Sequence, residues 1–219
     1  MMRAGAAVVA AGRDRARLEA TGASLIHTVD ATQAAQVDEL FAAVASRFGR
    51  LDGVAHCVGS LLLKPAHATT EADWAATLAT NLTSAFYVVR AAVKAMTAAG
   101  GSIVLVSSAA ARLGMANHEA IAAAKAGILG LTLSAAATYA NRGIRVNCVA
   151  PGLVETPLTE RITKSDATRQ ASVAMHPLGR LGNADDIASA IAWLLDGGQT
   201  WITGQVLGVD GGLASVRAR

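Results

Sequence analysis

His118 and Lys125 stand seven residues apart in an alanine-rich stretch. Seven helical steps turn about 700°, which leaves the two side chains within about 20° of one face. An imidazole titrates near pH ~6.5, so it can give or take a proton around neutrality, and a lysine charge beside it favours the neutral ring. Ser108 follows the apolar run Ile103-Val104-Leu105-Val106 and Ser107. A hydroxyl, an ammonium and an imidazole brought together could hold a carbonyl oxygen and exchange a proton with it. Each also has a plainer use: Ser108 as a helix cap, Lys125 as an exposed charge, His118 as a cap or lining of the helix start after Asn117. Glu119 is a weaker proton donor, since about 600° of rotation turns it some 120° from the lysine.

Short apolar runs that could position these groups lie at 6–11, 24–28, 53–57, 102–107, 145–149 and 205–209. Helical segments are expected at 14–19, 33–47, 71–98, 117–141 and 184–196, with capping boxes at Thr70/Asp73 and Asn183/Asp186. Gly100-Gly101 and Gly143 fall where helices should end. Strands apolar at nearly every position are buried on both faces, the pattern of a parallel sheet between helix layers. The expected fold is a doubly wound α/β domain. In such sheets ligands bind beyond the carboxyl ends of the strands. Those points carry Gly12-Arg13, Asp30-Ala31, Val58-Gly59, Ser107-Ser108 and Pro151-Gly152. The least regular segment, 151–164, has the scale of a lid.

The chain's 219 residues suit one domain, and 53% hydrophobic against 16% charged residues argue for a packed globule. Mean hydropathy is +0.39, yet no run is expected to reach the 18 or more apolar residues of a membrane helix. Neither a signal peptide nor a repeat is apparent. Two cysteines, Cys57 and Cys148, make no disulfide framework and suit the reducing cytoplasm. A net charge of +3, dispersed, excludes a basic nucleic-acid stripe. No metal-ligand spacing is present.

Two further segments are more specific. One is Arg145-Val146-Asn147-Cys148-Val149-Ala150-Pro151-Gly152 with Thr156 after it. The other is Pro177-Leu178-Gly179-Arg180-Leu181-Gly182, followed by Asp185-Asp186-Ile187-Ala188, Thr203-Gly204-Gln205 and Val209-Asp210-Gly211-Gly212. In this order, from residue 5 to about 213, the chain resembles the short-chain dehydrogenase/reductases, particularly their 3-oxoacyl-carrier-protein reductase branch. The resemblance implies a Rossmann-type sheet and hydride transfer between a nicotinamide cofactor and a carbonyl or alcohol. It implies that Ser108 holds the carbonyl oxygen. Lys125, in Ala122-Ala123-Ala124-Lys125-Ala126-Gly127, binds the nicotinamide ribose, and Asn81, in Thr80-Asn81-Leu82-Thr83-Ser84, holds a proton-relay water. It also implies a homo-oligomer, a tetramer or dimer built on the helices at 71–98 and 117–141 and the last strand.

Three departures from the family pattern stand out. The tyrosine that should exchange the proton falls at Ile121, which carries no proton. His118 is the substitute acid, in an arrangement similar to that of the superfamily's enoyl reductases. The Asn-Asn-Ala-Gly after the fourth strand reads His56-Cys57-Val58-Gly59. Gly59 keeps the close backbone approach to cofactor, and His56 is expected to be a buried structural histidine. Gly5 to Arg13 resembles the family's second strand and turn. The first strand, the Gly-rich pyrophosphate turn and most of the first helix, about 20–25 residues on ordinary lengths, are therefore expected to be missing, with Met1 to Ala4 as that helix's last turn. The missing strand would leave two apolar edges mid-sheet, between the second and fourth strands of the family.

An acid at the end of the second strand selects NAD; here Gly12 and Arg13 stand there, which favours the 2′-phosphate of NADP. Asp30 and Ala31 resemble the adenine-binding pair, and Val154 and Thr156 the residues at the nicotinamide carboxamide. The expected activity is that of an NADP(H)-dependent carbonyl reductase or alcohol dehydrogenase on a small molecule. The alternative is a catalytically silent binding or assembly partner.

Overall fold

The computed structural model describes residues 5–96 and 100–217. The readings placed on Met1 to Ala4 and on a helix end at Ala98 lie outside those residues. The elements run β1 (Val9–Gly12), α1 (Arg15–Glu19), β2 (Leu25–Thr28), α2 (Ala34–Phe48), β3 (Gly53–His56), α3 (Glu71–Leu78), α4 (Ser84–Ala95), β4 (Gly101–Val106) and α5 (Glu119–Tyr139). They continue with β5 (Ile144–Pro151), α6 (Glu160–Thr163), α7 (Asp166–Met175), α8 (Ala184–Leu195) and β6 (Val206–Val209).

Every pairing between these strands is parallel, in an α/β fold. β4 and β5 form its centre: Ile103, Val104, Leu105, Val146, Cys148 and Val149 have no exposed surface. Their side chains meet helices on both faces, which is why the runs are apolar at consecutive positions rather than alternating. One core cluster joins Ile103, Leu105 and Val146 to α4 and α5, and a second packs Val104 and Val149 against Ile191 and Leu194 of α8.

The sheet is in two parts. β1 pairs only with β2, and β3-β4-β5-β6 form a separate ladder, so one edge of β1 and one edge of β3 have no strand partner among the described residues. The resemblance puts its first strand at this division. Ala11 and Ala55 are exposed on these two strands. What joins the parts is α2, whose Val37 and Phe41 share a cluster with Val88, Val89 and Ala92 of α4.

The helix expected over 71–98 is interrupted. Its N-terminus has the expected capping box, with Thr70 Oγ1 accepting from the Asp73 amide, but Ala79–Thr83 form a π-helical turn between α3 and α4. Five-residue hydrogen bonds of this kind are rare and concentrate at functional sites. The second box, Asn183 with Asp186, opens α8. Gly143 takes the left-handed conformation at φ 70°, ending the short turn after α5.

The expectation that no segment is apolar enough to cross a membrane is corrected by α5. The helical span Glu119–Arg142 contains an 18-residue window with a mean hydropathy of 1.6 and has the necessary length. Alanines together with Ile121, Ile128, Leu129, Leu131 and Leu133 supply that value without forming one aliphatic run. Ala120, Ile121, Ala124, Ile128, Ala135 and Ala136 are buried against the protein, and Lys125 is buried among them, as in a core helix.

Candidate active site

Lys125 is held from two sides. Its Nζ donates to the Val106 carbonyl at the end of β4 over 3.0 Å, and its own carbonyl accepts from Ser107 Oγ at 2.7 Å. The side chain is 8% exposed. Burial lowers its pKa to about 8, against a smaller opposing effect of the nearby Cys148 and Cys57 thiols. The ammonium is thus a confined cation with a single protein acceptor, leaving two N–H groups for another oxygen.

Asn81 sits in the π turn and is fully buried. Its Oδ1 accepts from the Ser60 amide at 3.0 Å, and its Nδ2 donates to Ser60 Oγ at 2.8 Å and Thr77 O at 2.9 Å. Both amide hydrogens are used, so the side chain clamps the loop after β3. Gly59 closes the cluster: a Cβ there would lie 3.1 Å from Asn81 Oδ1 and 3.4 Å from Lys125 Nζ. The backbone at Gly59, the Asn81 amide and the Lys125 ammonium therefore converge at the carboxyl ends of β3 and β4.

Ser108 follows β4 in extended conformation and caps a short turn, accepting from the Ala110 amide at 3.1 Å. Its own hydroxyl hydrogen is left free to donate. Ile121 is buried, at 3% exposure, one helical turn before Lys125. His118 is not inside the helix. It is the N-cap residue of α5 at φ −110°, ψ 11°, so the seven-step rotation from Lys125 starts one residue outside the helical geometry. The cause is the preceding Asn117, in the left-handed region at φ 63°, which turns the chain just before the helix begins. His118 Nδ1 lies 2.7 Å from the Ala116 carbonyl. A carbonyl only accepts, so Nδ1 carries the proton, and Nε2 can donate only from the charged ring. Glu119 points elsewhere and accepts from the Ala66 amide at 3.3 Å.

His56 is buried, and its Nε2 lies 3.0 Å from Ser84 Oγ, whose own hydrogen goes to the Thr80 carbonyl. Nε2 must therefore be the donor. Burial, with a smaller contribution from the Lys125 charge, lowers its pKa to about 4. The ring is a neutral brace from β3 to the π turn, as expected of a structural histidine.

On the other flank, Gly12 ends β1 and Arg13 is exposed. The Asp30 carboxylate is held below its ordinary pKa, first by hydrogen bonds from Thr32 and also by the charge of Arg13. Ala31 beside it is buried. Pro151 ends β5, Val154 forms a bridge with Gly182, and Thr156 Oγ1 meets Thr159 Oγ1 at 3.2 Å. The residues picked out at strand ends thus line one end of the two sheet parts.

A family model described as enoyl-(acyl carrier protein) reductase matches residues 1–214, and 3-oxoacyl-carrier-protein reductases are among the relatives. The chain belongs to the short-chain dehydrogenase/reductase family. It is 36% identical over 192 residues to the 3-oxoacyl-[acyl-carrier-protein] reductase FabG of Thermotoga maritima, covering 85% of this chain and 76% of that protein. It is 39% identical over 221 residues to cis-4-hydroxycyclohexanecarboxylate dehydrogenase of Sinomonas cyclohexanicum, covering 97% and 88%. Among solved structures it superimposes on ElxO with NADP bound at a TM-score of 0.90 and 28% identity, covering 98% of this chain and 91% of that one. As a member of this family it is an oxidoreductase acting on CH–OH or C=O groups.

Several parts of the dehydrogenase site escape sequence reasoning. The π turn reads as uninterrupted helix, because its composition does not differ from that of α3 and α4. Ser60 and Ser107 carry no motif of their own. The lid-scale segment folds into α6 and continues into α7, where Arg161 Nη2 donates across to the Leu61 carbonyl at 2.8 Å. His176, directly before the Pro177-Leu178-Gly179-Arg180 motif, is buried against Gly152. Its place ahead of a recognised motif is the one signal that could have found it.

Proposed function

We propose that the protein is an NADP(H)-dependent carbonyl reductase or alcohol dehydrogenase for a small-molecule substrate. The observation that carries this reading is the convergence of Gly59, Asn81 and a confined Lys125 ammonium, whose acceptor Val106 stands two residues before Ser108 and its free hydroxyl hydrogen. The residues fit a nicotinamide dinucleotide: a Cβ at Gly59 would crowd Asn81 Oδ1 and Lys125 Nζ, and Lys125 keeps two N–H donors beyond its bond to Val106 O. Lys125 would hold the ribose hydroxyls, Arg13 the 2′-phosphate, Asp30 and Ala31 the adenine, and Gly12, Gly59, Pro151, Gly152, Val154 and Thr156 the remaining contacts. When bound, the cofactor supplies or accepts the hydride. ElxO, solved with NADP, supports the choice of NADP.

Ser108 donates to the substrate oxygen and holds its developing charge. His118, in place of the missing phenol, gives that oxygen a proton from Nε2 of the charged ring. The substrate is received by 151–164 and α7. We further propose that the protein is one domain working in the cytoplasm, where free Cys57 and Cys148 suit reducing conditions. The exposed Phe86 on α4 and Leu133 on α5 support a homo-oligomer. A silent assembly partner is favoured by Ile121, while the relatives are named as enzymes.

NADPH titration followed by a carbonyl panel tests the reading. Turnover is expected, with Ser108→Ala and Lys125→Ala each lowering kcat/KM by about 10²-fold or more, the scale of one oxyanion donor or one positioned acid. His118→Ala should slow reduction by about 10²-fold or more, the scale of one positioned acid. Undetectable NADPH binding, or full rates in both variants, rejects the assignment.

A further inference from the structure

Four consecutive residues after β5 form the turn on which the proposed nicotinamide end rests, and three of its peptide groups are tied to backbone. The Gly152 amide donates to Val209 O, the Gly182 amide to Leu153 O, and the Glu155 amide to Gly182 O. The Leu153 amide is different: its acceptor is a side-chain nitrogen, His176 Nε2, at 3.1 Å. On the other side of the ring, His176 Nδ1 meets the Ser172 carbonyl at 2.7 Å.

These two contacts fix the state of the ring. A carbonyl accepts, so Nδ1 bears the hydrogen; an amide N–H donates, so Nε2 bears the lone pair. Only the neutral Nδ1–H form serves both, and a charged ring would set one N–H against another. The fit is tight, since a Cβ at Gly152 would lie 2.7 Å from Nε2. His176 itself is 4% exposed.

The contact also crosses elements. Ser172 is in α7, a helix with no buried residue, whose seating therefore rests on polar ties such as this one. The ring lines a cavity of about 520 Å³ with Leu153, Arg180, Asp186 and Asp210. The charges around it are committed: Arg180 pairs with Asp186 at 2.7 Å, and the Asp210 carboxylate accepts from the Gly212 and Ala214 amides. Ser108, Asn81 and Lys125 do not line this cavity, so His176 acts from behind the turn rather than on the reacting atoms.

We infer that His176, as the neutral ring protonated on Nδ1, is a positioning residue that clamps the Gly152–Leu153 turn to α7 and so sets the turn against the nicotinamide end of the cofactor. The link to the cofactor rests on the function proposed above; the clamp does not.

Two variants and two readouts test it. His176→Leu should raise KM for NADPH about tenfold, the scale of one buried hydrogen bond left unmade, with kcat changed by no more than about threefold. His176→Gln, whose carbonyl can take the Leu153 amide, should restore KM to near the wild-type value. On the cofactor-free protein, Leu153 amide exchange should accelerate about tenfold or more in the Leu variant and recover in the Gln variant. An unchanged Leu153 amide in a folded Leu variant overturns the clamp. A faster amide with unchanged KM overturns the coupling to cofactor. Wild-type protein that fails to bind NADPH overturns the proposed function, while the amide still judges the clamp.

Discussion

Lys125 is the residue at which stability and chemistry oppose each other. Its neighbours are β4, α5 and two thiols, and burial lowers its pKa from 10.5 to about 8. Below pH 8 the native state carries a charged, desolvated ammonium, at a cost of roughly 3 kcal/mol for a shift of that size. As pH rises from 8 to 10.5 the native ammonium discharges before the unfolded one does, so this cost relaxes and stability increases across that window. A residue held at such cost is expected where a cation is needed for binding. Lys125→Met is therefore expected to stabilise the protein by about 1–2 kcal/mol at pH 7, after loss of the bond to Val106 O, with the gain shrinking toward pH 10.5. Denaturant midpoints at pH 7 and 10 measure it, and an equal or lower midpoint at pH 7 would contradict the buried-charge argument. Ser108, Asn81 and Lys125 were legible in the sequence because each lies in a motif tied to a strand end or helix. The roles of their side-chain atoms were not. That the Asn81 amide is wholly committed, and that His118 caps α5 instead of riding on it, depends on the π turn and on the left-handed Asn117.

At the scale of elements, the join between β3 and the interrupted helix α3–α4 rests on His56. Its Nε2–H reaches Ser84 Oγ, and Ser84 passes its hydrogen to Thr80 in the π turn. The ring's pKa falls from 6.5 to about 4, so the neutral form is the native one. Above pH 6.5 this contribution is complete. Between pH 6.5 and 4 the unfolded chain binds a proton that the native ring refuses, and stability falls by roughly 3 kcal/mol over the window. His56→Gln keeps a donor for Ser84 and has nothing to titrate, so its stability should change less over the same range. Urea unfolding at pH 7, 5.5 and 4.5 gives the comparison, and parallel pH profiles for the two proteins would remove His56 as the cause. The elements were legible where pattern and cap agree, as at β4 and at the boxes opening α3 and α8. They were misread where backbone geometry departs from composition. The helix expected over 71–98 holds a π turn, and α7, in which no residue is fully buried, is not among the helical segments expected from the pattern.

For the whole molecule the division of the sheet matters most. β4 and β5 have partners on both sides and bury nearly every side chain, whereas β1 has one partner and Ala11 is exposed. The doubly wound class was legible because consecutive apolar positions cannot be hidden any other way. The break between β1 and β3 was legible only through the order of family motifs, since no local pattern of four residues reports what stands beside it. Two parts that are not hydrogen-bonded to each other through their strands should not open as one unit. Amides of β1 and β2 are therefore expected to exchange through local opening, at least about 10²-fold faster than those of β4 and β5, because a two-stranded ladder is marginal without further support. Hydrogen exchange at mild denaturant concentrations distinguishes the cases. If both ladders exchange with the same free energy and the same denaturant dependence, the molecule opens globally and the division carries no energetic weight. If β1–β2 opens first, NADPH should slow its exchange by the mass-action factor for a ligand that binds only the closed form, since Arg13 and Asp30 lie at the ends of those two strands. Protection appearing at β4–β5 alone would place the cofactor contacts off Arg13 and Asp30.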